Sequence, residues 1–575
     1  MDTSSARMFL ESLLERIVID PVTGKRSLPG TVSAHEISAL QMALQLLGGH
    51  VSSQPPLLID ETAIQSVSET EGEKEVSSRG NGDDIVKVEL SLNLKSLNIK
   101  SPENDDVILC LDFGTAMSKA FATIIEDGEV VDNLPLKLGR RGASGGQFYP
   151  VPSSLWITND GEIYFGEHAL ALSLQDSTGG RQRFDSLKKE LIMGLVEVSP
   201  DKVPLSPEIN PTTVLFSKGD AITLFLGYLT DLACSELEER HKASRYVFRR
   251  FALPSWEERR RDWGEKMLAK MLAKAQIIAD TFHGRWEEGI SMVEVRSALD
   301  QVNNLADLPT YLVGEGVTEP LAAGTSRLRQ EETVRGLAMV IDIGAGTSDF
   351  AMFVVSEDPA KEIFKAWPIA GCNESLHQAG DTLDNALLQA ILEKARIDSS
   401  NPDFPFVMAN LRMNLRTLKE QLFTEELCTY NLSNGDRGII ELDEFLERPA
   451  VIKFAEYLSS TFQRVVDKAN KSILTRFEGS SLTVVLTGGG ATLPMVTELS
   501  EGACRAHGIT IYKSKAPLVP DEFVDDDELS FIYPQLAVAI GGASPNLIDE
   551  RDAISEWSGL TTPKWTSGRL QVSGA

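Results

Sequence analysis

The chain has 575 residues, 42% hydrophobic and 24% charged, a globular composition at a length beyond one hydrophobic core, so two or three domains are expected. Its formal net charge of -29 repels phosphate backbones and anionic lipid surfaces, which sets nucleic acid and membrane aside as partners. No run approaches the ~18 consecutive apolar residues of a membrane helix, and the start, MDTSSARMFLESLLERIV, lacks a basic region followed by an apolar core, so a cytoplasmic protein is expected.

In chain order, residues 6 to 18 carry apolar groups at helical spacing. A second helix is signalled by Ser33 three residues before Glu36, followed by Ile37, Leu40, Leu44 and Leu47, and it stops at Gly48 and Gly49. Residues 1–50 therefore read as a helical extension. Residues 51–84, with SETEGEKEVSSRGNGDD, bury too little apolar surface to stay ordered and read as a disordered linker. Val86, Val88, Leu90, Leu92 and Leu94 alternate with polar residues, the pattern of an edge strand leading in over 85–104. From Asp106 to about Ser544 apolar strands alternate with amphipathic helices, the order of an α/β layer structure. The five cysteines, Cys110, Cys234, Cys372, Cys428 and Cys504, show no CxxC spacing and read as reduced packing residues.

An internal repeat organises this region. ILCLDFGTAMSKAFATII and AMVIDIGAGTSDFAMFVV align Asp112 with Asp342, Gly114 with Gly344, and Ser118 with Ser348, and each reads strand, turn, strand. In each hairpin a strand delivers an aspartate to its end, and the small residues after it (Gly114, Thr115 and Ala116; Gly344, Ala345, Gly346 and Thr347) let backbone N–H groups converge on an anion such as a phosphate. Asp112, Asp342 and Asp349 offer carboxylates for the waters of a Mg²⁺ ion. A third element, LTVVLTGGGATLP, ends a strand in Gly488, Gly489 and Gly490, where a flat base or ribose can approach the backbone; a plain strand-to-helix turn is the other reading.

Taken in order, the three elements resemble the phosphate 1, phosphate 2 and adenosine motifs of the actin, sugar-kinase and seventy-kilodalton heat-shock chaperone superfamily. Further segments resemble the chaperone branch: FYPVPSSLWI with GEIYFGEHAL, FDSLKKELIMG, RRFALPSWEERRRDW, GVTEPLAAG, GDTLDNALL, NLRTLKEQL and PQLAVAIGGA. The likeness covers roughly residues 106 to 545. It implies an actin-like (ribonuclease H-like) α/β fold of two duplicated lobes around a nucleotide cleft: lobe I over 105–339, lobe II over 340–533, a closing helix over 534–548 returning to lobe I, and a polar tail over 549–575. It also implies ATP or ADP with Mg²⁺. By carry-over, Asp112, Asp342 and Asp349 hold hydrated metal or the attacking water, with Asp112 and Asp342 reaching the metal through water. Lys189, with Lys188 as its neighbour, stabilises the γ-phosphoryl charge, Glu319 assists, and Lys419 lies on the adenine-side helix.

The chain departs from that pattern in places. Lys119 makes the first hairpin resemble actin's, where a lysine meets the phosphates. Thr492 stands where the chaperones have a stacking arginine and Arg416 where they have a glutamate, so Arg416 either stacks on the base or the site takes another nucleotide. The chaperones continue into an apolar linker and a peptide-binding domain, and PNLIDERDAISEWSGL resembles no such linker.

The expected function is a slow, Mg²⁺-dependent, chaperone-like ATPase whose lobe closure controls a partner protein, served by an exchange factor or co-chaperone. An actin-like filament or scaffold and a non-hydrolysing regulator are the alternatives. The basic stretch around Trp256 and Trp263 also carries Glu257, Glu258 and Asp262, which reads as a solvated face rather than a nucleic-acid patch, and the histidines show no metal-ligand spacing.

Overall fold

Apolar runs such as VILCLDF and LAMVIDI lack the in–out alternation of a half-exposed strand and belong in sheets covered on both faces. A computed structural model bears this out. It describes residues 90–556 except 142–145, 177–179, 194–198, 255, 257, 329–335 and 359–362, together with two short strands near the N-terminus. The chain divides into two units, Met1–Ile85 and Val86–Ala575. In the first, Val18–Ile19 pairs antiparallel with Arg26–Ser27, so Val18 is a strand residue rather than the end of a helix. The remaining expectations for residues 1–89 lie outside the described residues.

The second unit is mixed α/β. A short helix α1 (Lys95–Asn98) precedes a first sheet of β1 (Asn104–Asp112), β2 (Met117–Glu126), β3 (Glu129–Pro135), β6 (Val247–Leu253) and β7 (Val313–Thr318). Between β3 and β6 lie the small-sheet strands β4 (Ser154–Ile157) and β5 (Glu162–Phe165), and the helices α2 (Gly166–Gln175), α3 (Leu187–Met193) and α4 (Lys218–Arg240). Helices α5 (Glu258–Phe282) and α6 (Met292–Asn303) link β6 to β7. Ser217 and Asp220 form a capping box that starts α4, the central helix of this half.

Helix α7 (Glu319–Leu328) leads to a second sheet of β8 (Gly336–Ile343), β9 (Ser348–Asp358), β10 (Ile363–Leu376), β13 (Ser481–Thr487), β14 (Ala503–Ala506) and β15 (Ile509–Lys515). Between β10 and β13 come α8 (Gly380–Ala395), α9 (Phe404–Glu425), the hairpin β11 (Leu427–Asn431) and β12 (Arg437–Glu441), and α10 (Pro449–Lys468). Helix α11 (Asp527–Ala543) follows β15.

The duplication extends from the hairpins to the topology. The first sheet runs β7-β6-β1-β2-β3, and the second runs β15-β13-β8-β9-β10 with β14 added outside β15. In both, three antiparallel strands are followed by two that lie parallel on the far side of the first. Strand alternation then assigns the faces. Leu337, Met339, Ile341 and Ile343 point into the second half's own core, whereas Ala338 and Val340 meet Ala322 and Ala323 of α7 and Val538 of α11. Likewise Leu109 and Leu111 face the first half's core, and Cys110 faces Tyr533, Leu536 and Ala537 of α11. Helices α7 and α11 therefore lie against both sheets and against each other.

Small residues permit that helix crossing. A Cβ on Gly541 would overlap Ala322 O, and one on Gly542 would overlap Cys110 Sγ. Gly541→Ala is expected to destabilise the protein by about 3 kcal/mol through overpacking against backbone, which a urea titration reads as a lower midpoint with an unchanged slope.

Three further expectations change. Residues 90–94 form no strand: Leu90 O accepts from Gln301 Nε2 (2.9 Å), Asn93 Nδ2 donates to Asp280 O (3.2 Å), and Leu90, Leu92 and Leu97 pack on the first core. The alternation there serves packing on α5 and α6, where no strand edge is offered. The closing helix begins at Asp527, ahead of the expected 534, and ends at Ala543. The first part of the polar tail is docked, with Ile554 bridged to Ile369 and Asp552 paired with Lys365 at 2.9 Å. All five cysteines are buried thiols. Among the described residues no helix is long and apolar enough to cross a membrane.

Candidate active site

Each hairpin turn is tied down beneath its tip. Ser118 Oγ shares a hydrogen bond with Ser153 Oγ (2.9 Å), which also donates to Gly114 O (2.8 Å), while the equivalent Ser348 Oγ donates to Gln378 O (2.6 Å). A Cβ on Gly114 would overlap Met117 O, so the first turn closes only with glycine there. The two turns face each other: a Cβ on Gly346 would lie 3.0 Å from Thr115 Oγ1. Thr115 and Thr347 are both buried at this junction.

The hairpin registers decide the charges. In the first, Asp112 lies opposite Lys119, and Lys119 Nζ pairs with Asp112 Oδ2 at 3.0 Å. In the second, the same positions are Asp342 and Asp349, two carboxylates directly across an antiparallel ladder. Burial, then Asp349, pushes the Asp342 carboxyl up to about 7, against the pull of Lys119 and the hydrogen bond from Thr487 Oγ1 (3.2 Å). Carboxylate oxygens of Glu319, Asp342 and Asp349 lie within 4.8 Å of one another.

Glu319 opens α7 at the end of β7, and its Oε1 accepts from Lys188 Nζ. Lys188 is buried; that burial lowers its pKa, while Asp112, Asp349 and Asp342 act to raise it. The neighbouring Lys189, the better match by resemblance, instead reaches Asp381 Oδ2 of α8 at 3.1 Å with its side chain 45% exposed. Helical phase separates the two. Leu187 and Leu191 are buried, Lys188 borders that stripe, and Lys189 lies opposite it.

The second turn is fastened to α8, whose Gly380 and Asp381 N–H groups donate to Gly344 O (3.1 Å) and Ala345 O (2.8 Å). Lys419 on α9 holds the same helix end through Gly380 O (3.2 Å) and Asp384 Oδ2 (2.8 Å), so it braces the turn. Arg416, one turn earlier, donates to Ala116 O of the first turn (3.2 Å) and pairs with Glu420 at 2.9 Å. At the third element, Gly488 follows β13 with φ +82°, its N–H donates to Pro534 O of α11 (2.7 Å), and a Cβ would lie 2.5 Å from Asp342 Oδ1. A Cβ on Gly490 would lie 2.5 Å from Ile343 Cγ2, whereas Gly489 faces open space.

Asp112, Lys119, Glu319, Asp342 and Asp349 thus come together with Lys188, and Lys189 does not join them. Thr487, Asp381 and Asp384 are parts the sequence reading missed; Thr487, immediately before the glycine run, carried the clearest signal. Four carboxylates facing two ammoniums leave an acidic, oxygen-rich centre, the donor chemistry a hard divalent cation takes. Asp112 is paired with Lys119 and Glu319 with Lys188, and the oxygens of Glu319, Asp342 and Asp349 lie close enough together to share a cation. No protein-family model matches the chain.

Proposed function

We propose that this chain is an ATP-binding, ATP-hydrolysing protein with the duplicated actin-like fold and a chaperone-type nucleotide site. The observation that carries the reading is the pairing of two sheets of equal strand order whose equivalent hairpins bring Asp112 and Asp342 to one cluster with Lys188, Glu319 and Asp349. A phosphate chain suits the turns because their small residues leave backbone N–H groups accessible to an anion.

In this reading Glu319, Asp342 and Asp349 hold Mg²⁺, which when bound neutralises phosphate charge. Lys188, oriented by Glu319, supplies a desolvated ammonium for the charge on the transferred phosphoryl group, where low dielectric strengthens its effect. Asp349 and Asp342 also orient the attacking water. Positioning and electrostatics supply nearly all of the catalysis in such chemistry. Contacts across the cleft, Lys189 to Asp381, Arg183 to Met413 O (3.3 Å) and Arg416 to Ala116 O, join the lobes near the nucleotide and give a partner protein a nucleotide-dependent arrangement to read. Five buried thiols fit a reducing cytoplasm.

Phosphate release from ATP by the purified chain, with and without Mg²⁺, tests the proposal. Turnover that needs Mg²⁺ and disappears in Asp342→Ala is expected; absence of nucleotide binding sinks it. The Lys119–Asp112 pair favours one second reading, an actin-like assembly, for which light scattering should rise when ATP and Mg²⁺ are added.

A further inference from the structure

Two consecutive hydrogen bonds fasten the second turn to the start of α8: Gly344 O accepts from Gly380 N (3.1 Å) and Ala345 O from Asp381 N (2.8 Å). In a trans peptide the carbonyl oxygen and the following N–H lie on opposite sides of one plane. The N–H groups of Ala345 and Gly346, which share those planes, therefore point away from α8. Among the described residues neither donates to an acceptor within the protein. Gly346 borders the first turn, since a Cβ there would lie 3.0 Å from Thr115 Oγ1. The N–H groups of Gly380 and Asp381, which a helix start leaves open, are thus spent on carbonyls of the turn, and the turn's own N–H groups face the cleft in their place.

Lys419 stands at the far end of the same line. Its Nζ donates to Gly380 O (3.2 Å), the carbonyl of the peptide unit whose N–H, on Asp381, holds Ala345 O. The line runs from the Lys419 ammonium through the Gly380–Asp381 peptide and then through the Ala345–Gly346 peptide to the Gly346 N–H. Hydrogen bonds linked head to tail polarise one another, so a cation donating into the first carbonyl fixes both planes and makes the last N–H a stronger donor. Asp384, one turn into α8, holds the ammonium at 2.8 Å. The junction is tight: a Cβ on Gly380 would lie 3.2 Å from Lys419 Nζ and 3.3 Å from Gly344 O.

We propose that Lys419 is a positioning residue for a phosphate at the second turn, acting through two peptide units rather than by touching the nucleoside, and that Asp384 sets Lys419 for this role. The inference rests on the nucleotide reading and deepens it, because the lysine that the resemblance assigns to the adenine side serves the polyphosphate instead. Two of the three ammonium hydrogens already have acceptors, Gly380 O and Asp384 Oδ2, which commits the side chain to this line.

Calorimetric titration of the full chain with ATP and with inorganic tripolyphosphate separates the two roles, since the second ligand has the phosphates and no nucleoside. The parent is expected to bind both. Lys419→Met should weaken both by the same factor, about tenfold, the scale of one charge-assisted hydrogen bond. Asp384→Asn should weaken both less, and again equally. Lys419→Arg should recover most of the loss for both ligands, because a single bond to a backbone carbonyl at a partly open cleft edge accepts a guanidinium; that recovery separates a lost charged donor from a damaged fold. Weaker ATP with unchanged tripolyphosphate in Lys419→Met places the lysine against the nucleoside and overturns the proposal. Unchanged affinity for both ligands, or equal loss in the Met and Arg proteins, overturns it as well. If the nucleotide reading itself fails, the parent binds neither ligand and the inference falls with it, whereas failure of the inference alone shows only in the variants of a parent that binds.

Discussion

Replacing Lys188 by alanine is expected to lower ATP turnover by about 10²–10³-fold, the usual effect of removing one preorganised electrostatic stabiliser. Lys189→Ala should stay within about fivefold of the parent, because a half-exposed ion pair contributes at most about 1 kcal/mol. The contrast follows from placement. Lys188 is buried among Glu319, Asp112, Asp342 and Asp349, whereas Lys189 spans to Asp381 at the cleft edge with nearly half its side chain in water. Removing Lys188 also leaves Glu319 without its cation, so a melting curve must accompany the kinetics. Lys188→Arg should retain the fold and recover little turnover, since a planar guanidinium does not reproduce a compact ammonium. Single-turnover phosphate release checks the pair. Equal loss in the two alanine variants, or a larger loss in Lys189→Ala, overturns the assignment of the lysine.

The two hairpins were legible in the sequence because their information is local. An apolar run ending in aspartate, followed by glycine and small residues, specifies strand and turn within a dozen positions, and its recurrence marks the duplication. The order of the parallel strands was not legible, since β6 and β13 join β1 and β8 only after long excursions through helices. Leu90 to Leu94 misled because period-two burial also arises when an extended segment lies on helices, and only the hydrogen-bond partners, Gln301 and the backbone of Asp280, separate the two cases. The burial of Lys188 was within reach, since the phase of Leu187 and Leu191 turns it inward and leaves Lys189, the match by resemblance, at the cleft edge. The Asp342–Asp349 repulsion is an effect of register, invisible until the opposing strand is paired.

Burial of Asp342, reinforced by that repulsion, gives the second large expectation, a pH-dependent stability in the absence of divalent ions. Asp342 titrates near 3.8 when unfolded and near 7 when folded, so the native state holds an extra proton in between. The stability contributed by this proton is fully present below the unfolded value and is lost as pH rises through 7. The loss approaches about 1.4 kcal/mol per pH unit at its steepest. Lys188 acts in the opposite sense in more alkaline solution, because a lysine whose pKa is lowered on folding favours the native state as pH rises. Melting temperatures with a chelator should therefore fall between about pH 5 and about pH 7 and level off above that, and Mg²⁺ should flatten the curve by taking the place of the proton. Asp342→Asn keeps an oxygen for Thr487 and removes the charge. It is expected to melt above the parent near pH 8 with chelator, to lose the slope, and to lose the response to Mg²⁺ together with turnover. A parent curve that rises or stays flat over this window, or an Asn variant that keeps the parent's slope, means that Asp342 ionises freely in the folded chain and that the three carboxylates are not waiting for a cation.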